Sequence, residues 1–173
     1  MSIIEVLVAI LVVSLGLLGA IGMQSAAMQA NREARLLEVA VALGQDLAEK
    51  MRGNHAVAFE PASAANPYLL DAPPTAQIPQ NTLNCMRDTC SPLDLANWEV
   101  QDWMARTRSA LPSPRVRVCF DASSSPSVSW NCTDNGTLVV VKLSWSVSSN
   151  EGLAFSTTGN PLVAIAIPAG IPE

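Results

Sequence analysis

Histidine is almost missing from this chain of 173 residues: His55 is the only one. A histidine-rich metal site is therefore excluded, and a Ser–His–Asp or Cys–His catalytic site would have to be built on His55 alone. His55 stands in an Asn54-His55-Ala56 stretch that reads as a solvated turn. Gly-rich phosphate loops are also missing, and so are internal repeats. Basic residues are scarce, 10 against 15 acidic, for a net charge of −5. Nucleic-acid binders draw their affinity from neutralising phosphates, so a chain this acidic is a poor one. Arg106, Arg108, Arg115 and Arg117 are scattered and form no stripe. The expectation is a protein that is not an enzyme, with no catalytic residue, no metal, no cofactor and no nucleic-acid partner.

Charge itself is missing from one end. Residues 1–31 carry one charged side chain, Glu5, and Val6 to Ala30 are 25 consecutive uncharged residues. The remaining charges, ten basic and fourteen acidic, lie between Arg32 and Glu173. A bilayer core of about 30 Å needs about 20 apolar residues in a helix, so this run is long enough to span. A cleavable secretory signal needs a basic flank, a shorter apolar core and a small-residue cleavage site. No Lys or Arg precedes this run, and the run is too long. Disorder and a wholly soluble fold are both excluded.

Membrane proteins usually keep Lys or Arg on the cytoplasmic side of a span. Here the first basic residue, Arg32, follows the run. Either this chain departs from that bias, or a short basic leader is removed and Met1 is a processed terminus. A carboxylate at the edge of a span costs on the order of 2–3 kcal/mol, so it usually has a partner. For Glu5 that partner is an α-amino group, its own or a neighbour's. The alternative is that Glu5 sits at headgroup level and favours the positive end of its helix.

The run Met1-Ser2-Ile3-Ile4-Glu5-Val6-Leu7-Val8-Ala9-Ile10 resembles the mature N-terminus of a type IV prepilin. In that family a basic leader ending in Gly is cut before Phe or Met, the new terminus is N-methylated, and Glu follows at the fifth position. Met1 and Glu5 fall on those two positions. The continuation Leu15-Gly16-Leu17-Leu18-Gly19 is similar to the PilV branch of minor pilins. The resemblance covers about 30 residues, and the rest agrees in architecture. Many major pilins have Pro near the position held here by Gly22, which leaves open where this helix bends. Gly16, Gly19 and Gly22 each cost about 1 kcal/mol against Ala inside a helix. They read either as small-residue packing, with Gly16 and Ala20 paired, or as a weak point.

The helical pattern continues beyond the span. Leu36, Ala40, Leu43, Leu47 and Met51 form an apolar stripe of helical period, with charged residues on the other faces. Gly53-Asn54 is a stop signal. One helix from near residue 1 to about 52 would be roughly 78 Å long. Residues 1–30 are its transmembrane and assembly half, 31–53 its amphipathic half, and 54–173 a periplasmic head. Residues 53–91 read as irregular, with Pro61, Pro67, Pro73, Pro74 and Pro79. Ser91-Pro92 opens a further helix, with Ala96, Val100, Trp103, Met104 and Leu111 buried and Pro112 ending it. Asp94, Glu99 and Asp102 read as its solvated side.

The remainder reads as strands. Val139, Val141, Leu143, Trp145 and Val147 alternate with Lys142, Ser144 and Ser146, the pattern of a half-buried strand. Asn135-Gly136 is a hairpin signal that would set Cys132 opposite Val139, Trp130 opposite Val141 and Val128 opposite Leu143. Val116, Val118 and Phe120 mark an earlier strand, and Val163, Ile165 and Ile167 a last one before Pro168. The expected fold is α+β, a long helix on an antiparallel sheet of about four strands. The four tryptophans read as core more readily than as ligand platforms. Asn131-Cys132-Thr133 and Asn135-Gly136-Thr137 match glycosylation sequons, but turn chemistry explains both more simply.

Cys85, Cys90, Cys119 and Cys132 suggest two disulfides and an oxidising periplasm. Zinc is the rival, but the spacings lack a second close Cys pair. Proximity favours Cys85–Cys90 with Cys119–Cys132. Against the second pair, Cys119 lies on the face opposite Val118 and Phe120 while Cys132 shares the apolar face, so a bulge or strand end is required.

The resemblance implies a structural minor pilin. It would be stored in the bacterial inner membrane and join other minor pilins and the major pilin by bundling N-terminal helices, at an initiating or tip complex. Its partners would be a prepilin peptidase and N-methyltransferase, the inner-membrane assembly platform and a tip adhesin. Its roles would be pilus assembly, adhesion and twitching motility. An I-type pseudopilin of type II secretion shares the N-terminal pattern, but two disulfides, the Pro-rich stretch and the chain length favour the pilus.

Overall fold

The computed structural model describes residues 2–61, 65–78, 82–122, 129–134, 136–149, 152–155 and 160–168. Met1, Pro79, Val128 and Asn135 therefore lie outside the described residues, as does the side chain of Val147. Helix α1 (Ile3–Gly53) is continuous for 51 residues and ends at the Gly53-Asn54 signal. It is followed by α2 (His55–Ala58), β1 (Leu70–Ala72), α3 (Pro92–Ala110), β2 (Arg115–Asp121) and β3 (Leu138–Ser144). The last elements are β4 (Ser146–Ser149), β5 (Gly152–Phe155) and β6 (Val163–Pro168). The chain divides into two compact units, Met1–Arg35 and Leu36–Glu173.

The second unit is a helix-on-sheet domain. Its main sheet is antiparallel, in the order β1-β2-β3-β6. On the inner face, Val116, Val118 and Phe120 of β2 meet Leu143, Val141 and Val139 of β3. The α1 stripe packs here as its period requires: Ala40, Leu43, Leu47 and Met51 are buried and Leu36 is partly so. Gly44 marks the closest approach, because a Cβ there would collide with the end of Ile165 on β6. Helix α3 adds Ala96, Val100, Trp103 and Met104 to the core, and Trp103 Nε1 donates to Leu43 O of α1 at 2.8 Å. Its start is a capping box: the Ser91 hydroxyl accepts from Asp94 N while Asp94 accepts from Ser91 N. Leu111 is buried beyond its last turn.

Three expectations are corrected. The partner of the 138–144 strand is 115–121, in the register Phe120↔Val139 and Val116↔Leu143, whereas 129–134 forms no strand. Cys132 and Trp130 therefore face neither Val139 nor Val141 in a ladder. The fourth strand is instead Leu70–Ala72, inside the stretch read as irregular. The run expected to continue to Val147 breaks at Trp145, where Ser146 N and Oγ both donate to Pro112 O (2.9 and 3.1 Å). Beyond the break β4 pairs with β5 as a separate two-stranded sheet. Gly136 is required for a reason other than a hairpin turn: a Cβ there would overlap the backbone of Asp121 and Ala122.

Candidate functional site: the apolar N-terminal helix and the polar anchors of the head

The first unit has no core of its own. Every described residue from Ser2 to Arg35 is exposed. Thirteen large aliphatic side chains from Ile3 to Ile21 are between 48% and 83% exposed. Removing a single Val, Leu or Ile from water is worth about 1.5–3 kcal/mol, so together they call for an apolar environment. Helix α1 is long and apolar enough to cross a membrane. Glu5 is the one acidic residue in its first turn, exposed, and its N–H donates to Ser2 O at 3.0 Å. Met1, the terminus expected to pair with it, is outside the described residues. Gly16, Gly19 and Gly22 lie within unbroken helix, and a Cβ at any of them would meet nothing within 4 Å. Among the described residues nothing packs against these glycines. In a helix bundle the same open positions let a neighbouring backbone approach closely.

In the head, Cys85 is bonded to Cys90 and Cys119 to Cys132, with Cα separations of 5.7 and 6.3 Å. The facing conflict at Cys119 is removed by the change of strand partner. Cys119 lies on the outer face of the sheet with Arg117, Val140 and Lys142, and the 129–134 segment crosses that face. Several contacts hold it there besides the disulfide. Arg115 stacks over the Trp130 ring at 4.2 Å. Ala122 N donates to Thr133 Oγ1 at 2.7 Å and Asp134 N to Phe120 O at 3.0 Å.

The central anchor under this segment is Lys142, which sequence alternation put on a solvated face. It is fully buried. Its Nζ donates to Asn131 O (2.6 Å) and Ser129 O (2.9 Å) and lies 3.5 Å from the buried Asp121 carboxylate. A buried ammonium is tolerable only when its protons are used in this way. One signal for it was present: a lysine, one of two in the chain, inside the apolar run Val139-Val140-Val141-Lys142-Leu143.

A second polar group joins the end of α1 to α3. Tyr68 is fully buried and its hydroxyl donates to Glu99 Oε2 at 2.5 Å. Asn54 Nδ2 donates to Tyr68 Oη (3.3 Å) and Pro92 O (2.7 Å). Asn66, buried beside it, donates to Ala58 O and Glu60 O and accepts from Tyr68 N. Burial first, then the hydrogen bond to Glu99, pushes the Tyr68 phenol well above the ordinary tyrosine range. Glu99 and Asp94, expected to be merely solvated, are thus a structural acceptor and a cap. Asp102 shares Arg106 with Asp46 of α1, at 3.0 and 2.6 Å. Two of the other arginines are likewise engaged, Arg117 with Asp71 at 3.5 Å and Arg108 with Ala76 O. His55 is exposed at the start of α2, its ring 4.7 Å from that of Phe59. Among the described residues no group of three or more His, Cys, Asp or Glu is placed to hold a metal ion.

A long apolar N-terminal helix with a four-stranded antiparallel sheet packed on its later turns defines a pilin-like α+β protein. Residues 22–101 match the Tt1218-like family, described as Type IV pilin Tt1218. The match runs from the middle of α1 to the middle of α3, somewhat under half of the chain, and it supports a type IV pilin family. Neither a curated protein nor a solved structure matches the chain.

Proposed function

We propose that this chain is a structural, non-enzymatic minor pilin of the PilV kind. The apolar half of its stalk helix, residues 1–30, anchors it in a bacterial inner membrane with the head in the periplasm. It then joins other minor pilins and the major pilin, by helix bundling, in an initiating or tip complex on the inner-membrane assembly platform. Adhesion, through a tip adhesin, and twitching motility follow from that placement. The observation that carries this reading is the exposed first part of α1, uncharged from Val6 to Ala30, with one carboxylate before it, Glu5, four residues from Met1. In the membrane that carboxylate can pair with its own α-amino group one turn away. In a filament of staggered helices it can neutralise the terminus of the next subunit instead. The family match to type IV pilins supports the same class.

A strain lacking the protein tests this. Loss of surface pili with normal exoprotein secretion is expected; lost secretion with normal pili would favour an I-type pseudopilin of type II secretion, which shares the N-terminal pattern. On this reading a prepilin peptidase and N-methyltransferase generate Met1. The intact mass of the native protein is then that of a leaderless, singly methylated chain, and an unmodified amine would contradict it.

A further inference from the structure

Helix α3 carries a tryptophan on its outward side. Trp98, Gln101, Asp102 and Ala105 recur at i, i+3, i+4 and i+7, on the face opposite the core stripe of Ala96, Val100, Trp103 and Met104. The 82–84 segment lies against this outward stripe and leaves a cleft of about 410 Å³ between them. That volume falls within the ~300–1,000 Å³ of small-ligand clefts.

Both walls are braced by bonds of their own. Below, α3 is fixed by its capping box and by the Asp102–Arg106–Asp46 pairs. Above, the loop is closed by Cys85–Cys90 and tied through Asn84. Asn84 O accepts from Arg87 N and Asp88 N (2.9 Å each), its Oδ1 accepts from Met86 N (3.0 Å), and its N–H donates to Asp88 Oδ2 (3.1 Å). A site held this way loses little entropy on binding.

The lining selects by chemistry. Four of its residues are polar and uncharged or acidic, namely Thr82, Asn84, Gln101 and Asp102, and no Lys, Arg or His is among them. The cation beside the cleft, Arg106, is held between Asp102 and Asp46, so the charge is met and anions are disfavoured, while the polar share disfavours a purely apolar ligand. A half-buried indole beside amide and carboxylate groups suits a molecule with one C–H face and a rim of hydroxyls. We infer that this cleft is a binding site for a neutral saccharide, with Trp98 stacking on a pyranose face and Asn84, Gln101 and Asp102 bonding its hydroxyls. The site belongs to the head alone and does not rest on filament assembly.

The test uses the full chain, labelled with ¹⁵N at its four indoles, in micelles of a detergent without a sugar headgroup. Neutral tetrasaccharides of glucose, mannose, galactose and N-acetylglucosamine are titrated to about 10 mM, near saturation for a millimolar site. Trigalacturonate serves as the anionic probe. Trp98→Phe identifies the Trp98 resonance. At least one neutral probe is expected to move that resonance saturably, with affinity lowered more than tenfold in Asp102→Ala by the same shift and in Trp98→Ala by saturation-transfer difference on the saccharide protons. The other three indole resonances stay unchanged in the variants. No movement with any neutral probe, preference for trigalacturonate, or wild-type affinity in both Ala variants would overturn the inference.

Discussion

Replacing Lys142 by Met separates charge from packing at the most buried ionic site of the head. The thioether keeps the apolar stem of the lysine and removes the ammonium. What remains is the Asp121 carboxylate, 2% exposed, without the cation that lay 3.5 Å away, and the carbonyls of Ser129 and Asn131 without their shared donor. Removing one partner of a buried ion pair costs about 3–5 kcal/mol. An orphaned carbonyl costs about 1–3 kcal/mol, and because these losses share one amine they do not add in full. The expected destabilisation is therefore about 3–5 kcal/mol. For a chain of this size that is a fall in Tm of roughly 6–20 °C, at about 2–4 °C per kcal/mol. Thermal unfolding of the oxidised protein, followed by near-ultraviolet circular dichroism, reads it. The double variant Lys142→Met/Asp121→Leu replaces both charges by apolar groups and is expected to recover at least half of the loss. A Lys142→Met protein within about 2 °C of wild type would refute the reasoning, because the ammonium would then contribute nothing net beneath the 129–134 segment.

Other outcomes follow from the same structure. Cys119→Ser opens a longer loop than Cys85→Ser, 13 residues against 5. Chain entropy puts the losses at about 3 and about 2 kcal/mol, and denaturant unfolding with Cys85→Ser the more costly would contradict that order. Tyr68 is the only tyrosine, so tyrosinate absorbance reports it alone. Its folded pKa lies above its unfolded value, so the stability it contributes is complete below about pH 10 and is lost as pH rises further. Tyr68→Phe is expected to flatten that alkaline loss, and a native protein whose tyrosine titrates near pH 10 would contradict the buried hydrogen bond to Glu99. A fragment from about Arg32 onward carries all the described core residues and both disulfides. It is expected to be soluble and monomeric by sedimentation, and aggregation of the oxidised fragment would argue against that division.

Much of the fold was legible because it depends on periodicity close in sequence. Leu36 to Met51 announce a buried helical face, and Ser91-Pro92 and Pro112 bound a helix without knowledge of anything distant. The failures involve residues whose surroundings are set far along the chain. Leu70-Asp71-Ala72 is too short to show alternation and becomes a strand only beside Val116–Val118. Lys142 follows a half-buried pattern, but the crossing segment closes over that face, so alternation misplaces it. Trp130 and Cys132 mimic a hairpin arm after Asn135-Gly136, while the better partner for Val139–Leu143 is the strand at 115–121, which buries three apolar pairs. Tyr68 and Glu99 are 31 residues apart, and nothing local joins them. The proposed N-terminal site is a contrast local to the sequence, one carboxylate beside an uncharged run.

Glu5 is where the proposed function is most exposed to experiment. A desolvated pair between subunits, broken by Glu5→Ala, should cost about 3–5 kcal/mol at each contact, far more than a surface pair. The decisive measurement is the amount of Glu5→Ala subunit in sheared pili relative to its membrane pool, beside the wild-type protein in the same strain. The expected result is a normal membrane pool with incorporation reduced more than about tenfold. A wild-type ratio in the sheared fraction would contradict it, and Glu5 would then be no more than a carboxylate at the positive end of a helix.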